Sequence, residues 1–145
     1  MAIEDILKYE NRDQLYKYLI DDFGLFKIEE KYDSEYFGNF YITLSAEEFL
    51  LCYVNDRSFM DILISSKVEP SKWFALSFVK DLIDNNMINA DEKEMDNYTR
   101  IEELNKFLKN KFNLINELFN KKNYPITKMK IDEGLKQQFN LKFPR

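Results

Sequence analysis

A chain of 145 residues, 45% hydrophobic and 16% aromatic, carries enough apolar surface for a real core and is too apolar for intrinsic disorder. It has no histidine and a single cysteine, which excludes a histidine-based triad, a histidine proton shuttle and an internal disulfide. The net charge of −5 is unevenly spread: residues 1–98 carry 10 basic and 21 acidic side chains, net −11, and residues 99–145 carry 11 basic and 5 acidic, net +6.

The opening MAIEDILKYENRDQ is acidic and lacks a basic region followed by an apolar run. No stretch approaches the roughly 20 apolar residues of a membrane span, so a cytosolic protein is expected. Residues near Asp5 to Asp22 read as a helix, with Leu15, Tyr18, Leu19 and Phe23 on one face and Gly24 at the exit. LFKIEEKYD alternates Phe26, Ile28, Glu30 and Tyr32 against Lys27, Glu29 and Lys31, which predicts a strand with one mostly apolar side. DSEYFGN is turn-rich and closes on Gly38-Asn39. FYITLS sets Phe40, Ile42 and Leu44 opposite Tyr41 and Thr43, and SAEE is a turn. FLLCYV is apolar on both sides, as a central strand is, with Cys52 a small buried hydrophobe. Asn55-Asp56-Arg57-Ser58 reads as a hairpin turn, because short polar side chains hydrogen-bond nearby backbone. SFMDILIS puts Met60, Ile62 and Ile64 on one face. Four strands with short connections predict an antiparallel meander.

Helices follow. EPSKWFALSFVKDLIDNN is a loop feeding a helix, in which Trp73 is expected to anchor the loop to the sheet. MINADEKEMDNY is a polar, acidic connection. Thr99 with Glu102 fits a capping box for a long helix striped by Ile101, Leu104, Leu108, Ile115 and Leu118. Lys121 and Lys122 suit its C-terminal dipole, and Pro125 stops it. ITKMKIDEGLKQQFNLKF predicts a last, weaker helix containing Gly134. The expected fold is a single α+β domain over residues 1–145: a four-stranded antiparallel meander with an N-terminal helix and two or three C-terminal helices packed on it. Residues 12–86 form the helix–sheet–helix core and 99–145 a basic helical extension. One sheet face is expected under helices, the other partly open for binding. Phe40, Ile42, Leu51, Ile62, Ile64, Leu82, Leu104 and Leu108 are expected to be buried together.

Catalytic patterns are missing. The pairs Asp21-Asp22, Glu29-Glu30 and Glu47-Glu48 read as solvated faces. Glu29 and Glu30, adjacent on a strand, point to opposite sides and cannot work together as acid and base. There is no Gly-rich phosphate loop, GxSxG elbow or EF-hand loop. The reading is therefore non-enzymatic, with no cofactor, no metal and no membrane contact. A rival reading uses the basic C-terminal third on nucleic acid. Lys106, Lys109, Lys111, Lys121, Lys122, Lys128 and Lys130 would contact phosphates, and Phe112, Phe119 and Tyr124 would stack on bases. The negative overall charge and the core's need for those aromatics argue against it.

Phe37-Gly38-Asn39 precedes a strand, a hairpin and a third strand; then come Asp56-Arg57, a fourth strand, and Trp73 opening a helix. This order, over about residues 12–86, resembles a group of small bacterial immunity-type proteins associated with polymorphic toxin systems. In that group Asp-Arg is commonly followed by Gly, where this chain has Ser58. The resemblance implies a non-catalytic protein that binds a partner toxin and blocks it. An acidic inhibitor would be steered onto a basic domain such as a nuclease. The expected contacts are Asp33, Glu35 and Tyr36 in the turn before the second strand, with Asp56 and Arg57 as outlying candidates. Loops on rigid strands often carry binding groups, and Tyr suits a wet, partly apolar contact.

Overall fold

The computed structural model describes residues 7–35, 38–89 and 95–142. A 3-10 turn at Tyr9–Asn11 leads into helix α1 (Asp13–Phe23). Strands β1 (Phe26–Asp33), β2 (Asn39–Ser45), β3 (Phe49–Asp56), β4 (Phe59–Ser66) and β5 (Phe74–Ala75) follow, then helices α2 (Leu76–Asn85), α3 (Asn97–Leu118) and α4 (Tyr124–Lys142). The class is α+β, as the hydrophobic periods predict. The sheet has five strands in the order β1-β2-β3-β4-β5, all antiparallel, rather than four. The fifth strand is two residues long, too short to show an alternation, and pairs Ile64 with Phe74 and Leu63 with Ala75. Trp73 is therefore the half-buried residue before a strand and does not open the helix, which starts at Leu76.

The inner face of the sheet is the core. Phe40, Ile42, Leu44, Phe49, Leu51, Tyr53, Ile62 and Ile64 are wholly buried. They pack with Leu15, Tyr16 and Leu19 of α1 and with Ile101, Leu104, Leu108, Phe112 and Ile115 of α3 in one continuous cluster. Leu82 lies at its margin, half-buried, where full burial was expected. α1 begins later than the pattern near Asp5 suggests, at Asp13, and Asp5 itself lies outside the described residues. Gly24 ends it at φ 74°, a left-handed conformation that glycine adopts without strain.

A register shift between Lys27 and Glu29 overturns the expected apolar side of β1. The bulge at Ile28 reverses the alternation there, so Phe26 faces the side of Ser45 while Glu30 and Tyr32 stand beside Ile42 and Phe40. On this edge strand every residue except Glu30 is exposed, and its charges and bulge discourage pairing with another chain.

Three helix boundaries also differ from expectation. α3 is capped by Asp96, whose carboxylate accepts from the Thr99 amide at 2.7 Å, so Thr99 lies in the first turn and is not the cap of a box with Glu102. α3 kinks at Lys111 and ends at Leu118, which leaves Lys121 and Lys122 in the following turn. Pro125 does not stop α3. It is the second residue of α4, a first-turn position where a missing amide hydrogen costs nothing. Gly134 does not weaken α4 idly: a Cβ there would stand 2.7 Å from Cδ1 of the buried Ile88, so the bare backbone lets the segment after α2 pack against the helix.

Candidate partner-binding surface

β3 and β4 are joined by a two-residue loop, Arg57-Ser58, flanked by the paired residues Asp56 and Phe59. Both loop residues have positive φ, 52° and 66°, the type I′ geometry whose twist matches the strands. The hairpin turn is thus as expected, but Ser58 holds a conformation that suits glycine, and a side chain there costs roughly 1–2 kcal/mol. Ser58→Gly is expected to raise stability by about 0.5–1 kcal/mol, since relief of strain is partly offset by a freer unfolded chain. Denaturant unfolding reads this directly.

Asn39, the first residue of β2, ties this hairpin to its neighbour. Its Nδ2 donates to the Asp56 carboxylate at 3.3 Å, and its Oδ1 accepts from the Arg57 amide at 2.8 Å. Asn55 Nδ2 donates to the Gly38 carbonyl at 3.2 Å. Asp33 closes β1 opposite Asn39 and accepts from the Glu35 amide at 3.0 Å. Asp33, Glu35, Asp56 and Arg57 are all exposed, and they share one end of the sheet. Asp56 and Arg57 are not outliers to the first turn. Tyr36 lies outside the described residues. Helix α3 braces the end from behind: Asn97 donates to the Ser58 carbonyl and accepts from the Met60 amide at 3.1 Å, and the Arg100 guanidinium sits 4.4 Å over the Phe59 ring.

From this end the outer face of the sheet runs on. One cross-strand row is Lys31, Tyr41, Val54 and Asp61; the next is Glu29, Thr43, Cys52 and Leu63. Tyr41 is 40% exposed and Phe59 48%, while Val54 and Leu63 are half-buried. Glu29 and Lys31 pair with each other at 3.1 Å. This face thus presents the exposed rings of Tyr41 and Phe59 and the half-buried Val54 and Leu63, with Glu29, Lys31 and Asp61 in the same rows and Thr43 and Cys52 buried among them. Tyr41 and Phe59 were missed as candidates. Their signal was in the alternation itself, which puts Tyr41 opposite the core residues Phe40 and Ile42.

Several other ionisable groups have structural partners. Glu30 accepts from Arg12 and, at 3.0 Å, from Lys27. Burial pushes its carboxyl pKa up, but the two cations outweigh burial and hold it below the ordinary range. Arg12 also lies 4.2 Å over Tyr9, which stacks on Tyr32 with centroids 3.6 Å apart, so this group pins the N-terminal turn to β1. Cys52 is buried, and burial raises its thiol pKa, the opposite of a reactive cysteine. Among the described residues no group of three or more cysteine or carboxylate side chains is placed to hold a metal ion. No helix among them is long and apolar enough to cross a membrane.

The basic third is partly committed. Lys128 Nζ holds both oxygens of Glu69 at 2.9 and 3.1 Å, and Tyr124 donates to the same carboxylate at 2.7 Å. Lys128 is the first cause that holds the Glu69 pKa below its usual value. Phe112, Phe119 and Tyr124 are buried, so none offers a ring face to a base. No protein-family model matches the chain, and neither does any curated protein or solved structure.

Proposed function

We propose that the chain is a cytosolic, non-catalytic binding protein of the immunity type, which neutralises a basic toxin domain through the hairpin end and outer face of its sheet. The observation that carries this reading is the tie that Asn39 makes to Asp56 and the Arg57 amide, at the end of the sheet that also holds the exposed Asp33, Glu35 and Phe59, with the exposed Tyr41 two residues along β2. The acids steer a basic partner and the rings supply desolvated contact area. A scaffold of paired strands braced by α3 holds these groups ready, which lowers the ordering cost of binding.

The test separates folding from binding. Asp56→Ala and Arg57→Ala are expected to change stability by no more than about 0.5–1 kcal/mol, because both side chains are exposed. The same variants are expected to weaken binding to the toxin domain encoded beside the gene, measured by calorimetry across a salt series. Binding unchanged in both variants removes Asp56 and Arg57 from the site. The nucleic-acid reading is tested with single- and double-stranded DNA and RNA. Near-micromolar affinity at physiological salt, lost when Lys121, Lys122, Lys128 and Lys130 become Glu, would replace the immunity reading.

A further inference from the structure

The far edge of β4 is closed by side chains where a strand is missing. β5 pairs only with Leu63 and Ile64, so among the described residues no strand lies along Phe59–Ile62 on that side. In a hairpin with a two-residue loop, the flanking pair Asp56 and Phe59 closes the ladder, and the peptide groups of Met60 and Ile62 turn away from β3. The Met60 amide donates to Asn97 Oδ1 at 3.1 Å, and the Met60 carbonyl accepts from Arg100 Nη1 at 3.3 Å. Asn97 Nδ2 donates to the Ser58 carbonyl, and the Ile62 amide donates to Asp61 Oδ1 at 2.8 Å. Two side chains of α3 thus make bonds that a neighbouring strand would make. Polar contacts hold them there: Arg100 also donates to Asn97 Oδ1 at 3.1 Å and to the Met95 carbonyl at 2.9 Å. None of the residues Asn97–Arg100 is buried, and Ile101 is the first core residue of α3.

We propose that the first turn of α3 is a removable strap over the edge of β4, and that the strand it keeps out is β4 of a second copy of this chain. The strapped groups point to that occupant. An antiparallel pairing about a two-fold axis at Met60 sets Met60 opposite Met60, and Ile62 opposite Ser58 of the other copy. The Met60 amides and carbonyls then bond each other, and each Ile62 amide meets a Ser58 carbonyl. Those are the four groups now held by Asn97, Arg100 and Asp61. In this register Asp61 stands opposite Phe59, so no like charges face each other. A pairing centred one residue on, at Asp61, would drive the other copy's Phe59 into Ala75, which already holds the place beside Leu63. The strap can open because a helix end without core residues unfolds locally at less cost than the whole domain. The opposite edge of the sheet, β1, is bulged and offers no such template.

The test uses the full-length protein. Asn97→Ala with Arg100→Ala is expected to self-associate at least about tenfold more tightly than the wild type in sedimentation equilibrium. Asn97→Ala alone, which leaves Asp96 and Arg100 in place, should shift the same way by a smaller factor, and it covers the case in which the double variant does not fold. Hydrogen exchange locates the contact. In dilute wild-type protein the Met60 amide is expected to exchange faster than the Leu51 amide, through local opening. Asn97→Ala should speed Met60 at least about tenfold, and by a larger factor than Leu51. In the dimer the Met60 and Ile62 amides should regain protection. Folded variants that stay monomeric overturn the proposal. So does a dimer that leaves Met60 unprotected, or a wild-type Met60 amide that exchanges as slowly as Leu51.

Discussion

Ile62→Ala is expected to lower the unfolding free energy by about 2–5 kcal/mol. Ile62 is fully buried on the inner face of β4, paired with the equally buried Tyr53 and flanked by Met60 and Ile64. Helix α3 packs on this strand and the sheet beneath is cross-linked on both sides, so little can collapse into the space left. The loss therefore combines the transfer free energy of the missing methyl groups with an unfilled cavity. Leu104→Ala removes the facing apolar group on α3 and should cost a similar amount. For a domain whose whole stability is about 5–15 kcal/mol, either change is a large fraction. Urea unfolding should show a lower midpoint at an unchanged slope. A loss below about 1 kcal/mol in both variants would mean that α3 does not cover the sheet.

Asn105→Ala is expected to cost about 2–4 kcal/mol for a different reason. Asn105 Oδ1 accepts from the Tyr53 hydroxyl at 2.6 Å and from the Tyr18 hydroxyl at 2.9 Å, and Nδ2 donates to the Leu15 carbonyl at 3.0 Å. One amide thus joins α1, β3 and α3. Burial pushes the pKa of both phenols above the ordinary value, which favours the neutral, donating form. Alanine removes the acceptor that both hydroxyls share; Tyr18 keeps the Asn105 carbonyl at 3.3 Å, while the buried Tyr53 hydroxyl is left with the Tyr18 hydroxyl alone. A buried hydroxyl without a partner costs about 1–3 kcal/mol. The discriminating measurement is a double-mutant cycle with Tyr53→Phe. The Asn105→Ala penalty should shrink in the Tyr53→Phe background, because the stranded donor is then absent. Strict additivity would show that the network carries no coupling.

The core was legible because its cause is local. Phe40, Ile42 and Leu44, or Ile101, Leu104 and Leu108, show their period in any window of a few residues, and each proved buried. Departures arose where the deciding partner is distant or the pattern too short. Nothing in Phe26-Lys27-Ile28-Glu29 announces a bulge; it follows from pairing with Leu44 and Thr43, and it reverses which side Phe26 faces. Thr99 fitted a cap on local pattern alone, but Asn97's bonds to Ser58 and Met60 place the helix start earlier, with Asp96 as its cap. The proposed surface was half legible. Asp33, Glu35, Asp56 and Arg57 declared themselves as turn residues, and a meander sets its first and third connections at one end; what was not legible is the tie that Asn39 makes across 17 residues to Asp56. The exposure of Tyr41 and Phe59 depends on which sheet face the helices cover, and that is a tertiary fact.

The central claim, that the acidic hairpin end and the adjoining rings bind and block a basic toxin, is tested most directly by growth rescue. A basic toxin domain encoded beside the gene, which the immunity reading requires, is expressed with the wild-type chain or with a variant carrying Asp33→Lys, Glu35→Lys and Tyr41→Asp. All three positions are exposed, so thermal unfolding should differ little between the two proteins. The wild type is expected to restore growth, and the variant to rescue weakly or not at all. Rescue by the variant at the wild-type level would contradict the assigned surface, and failure of the wild type to rescue would contradict the function itself.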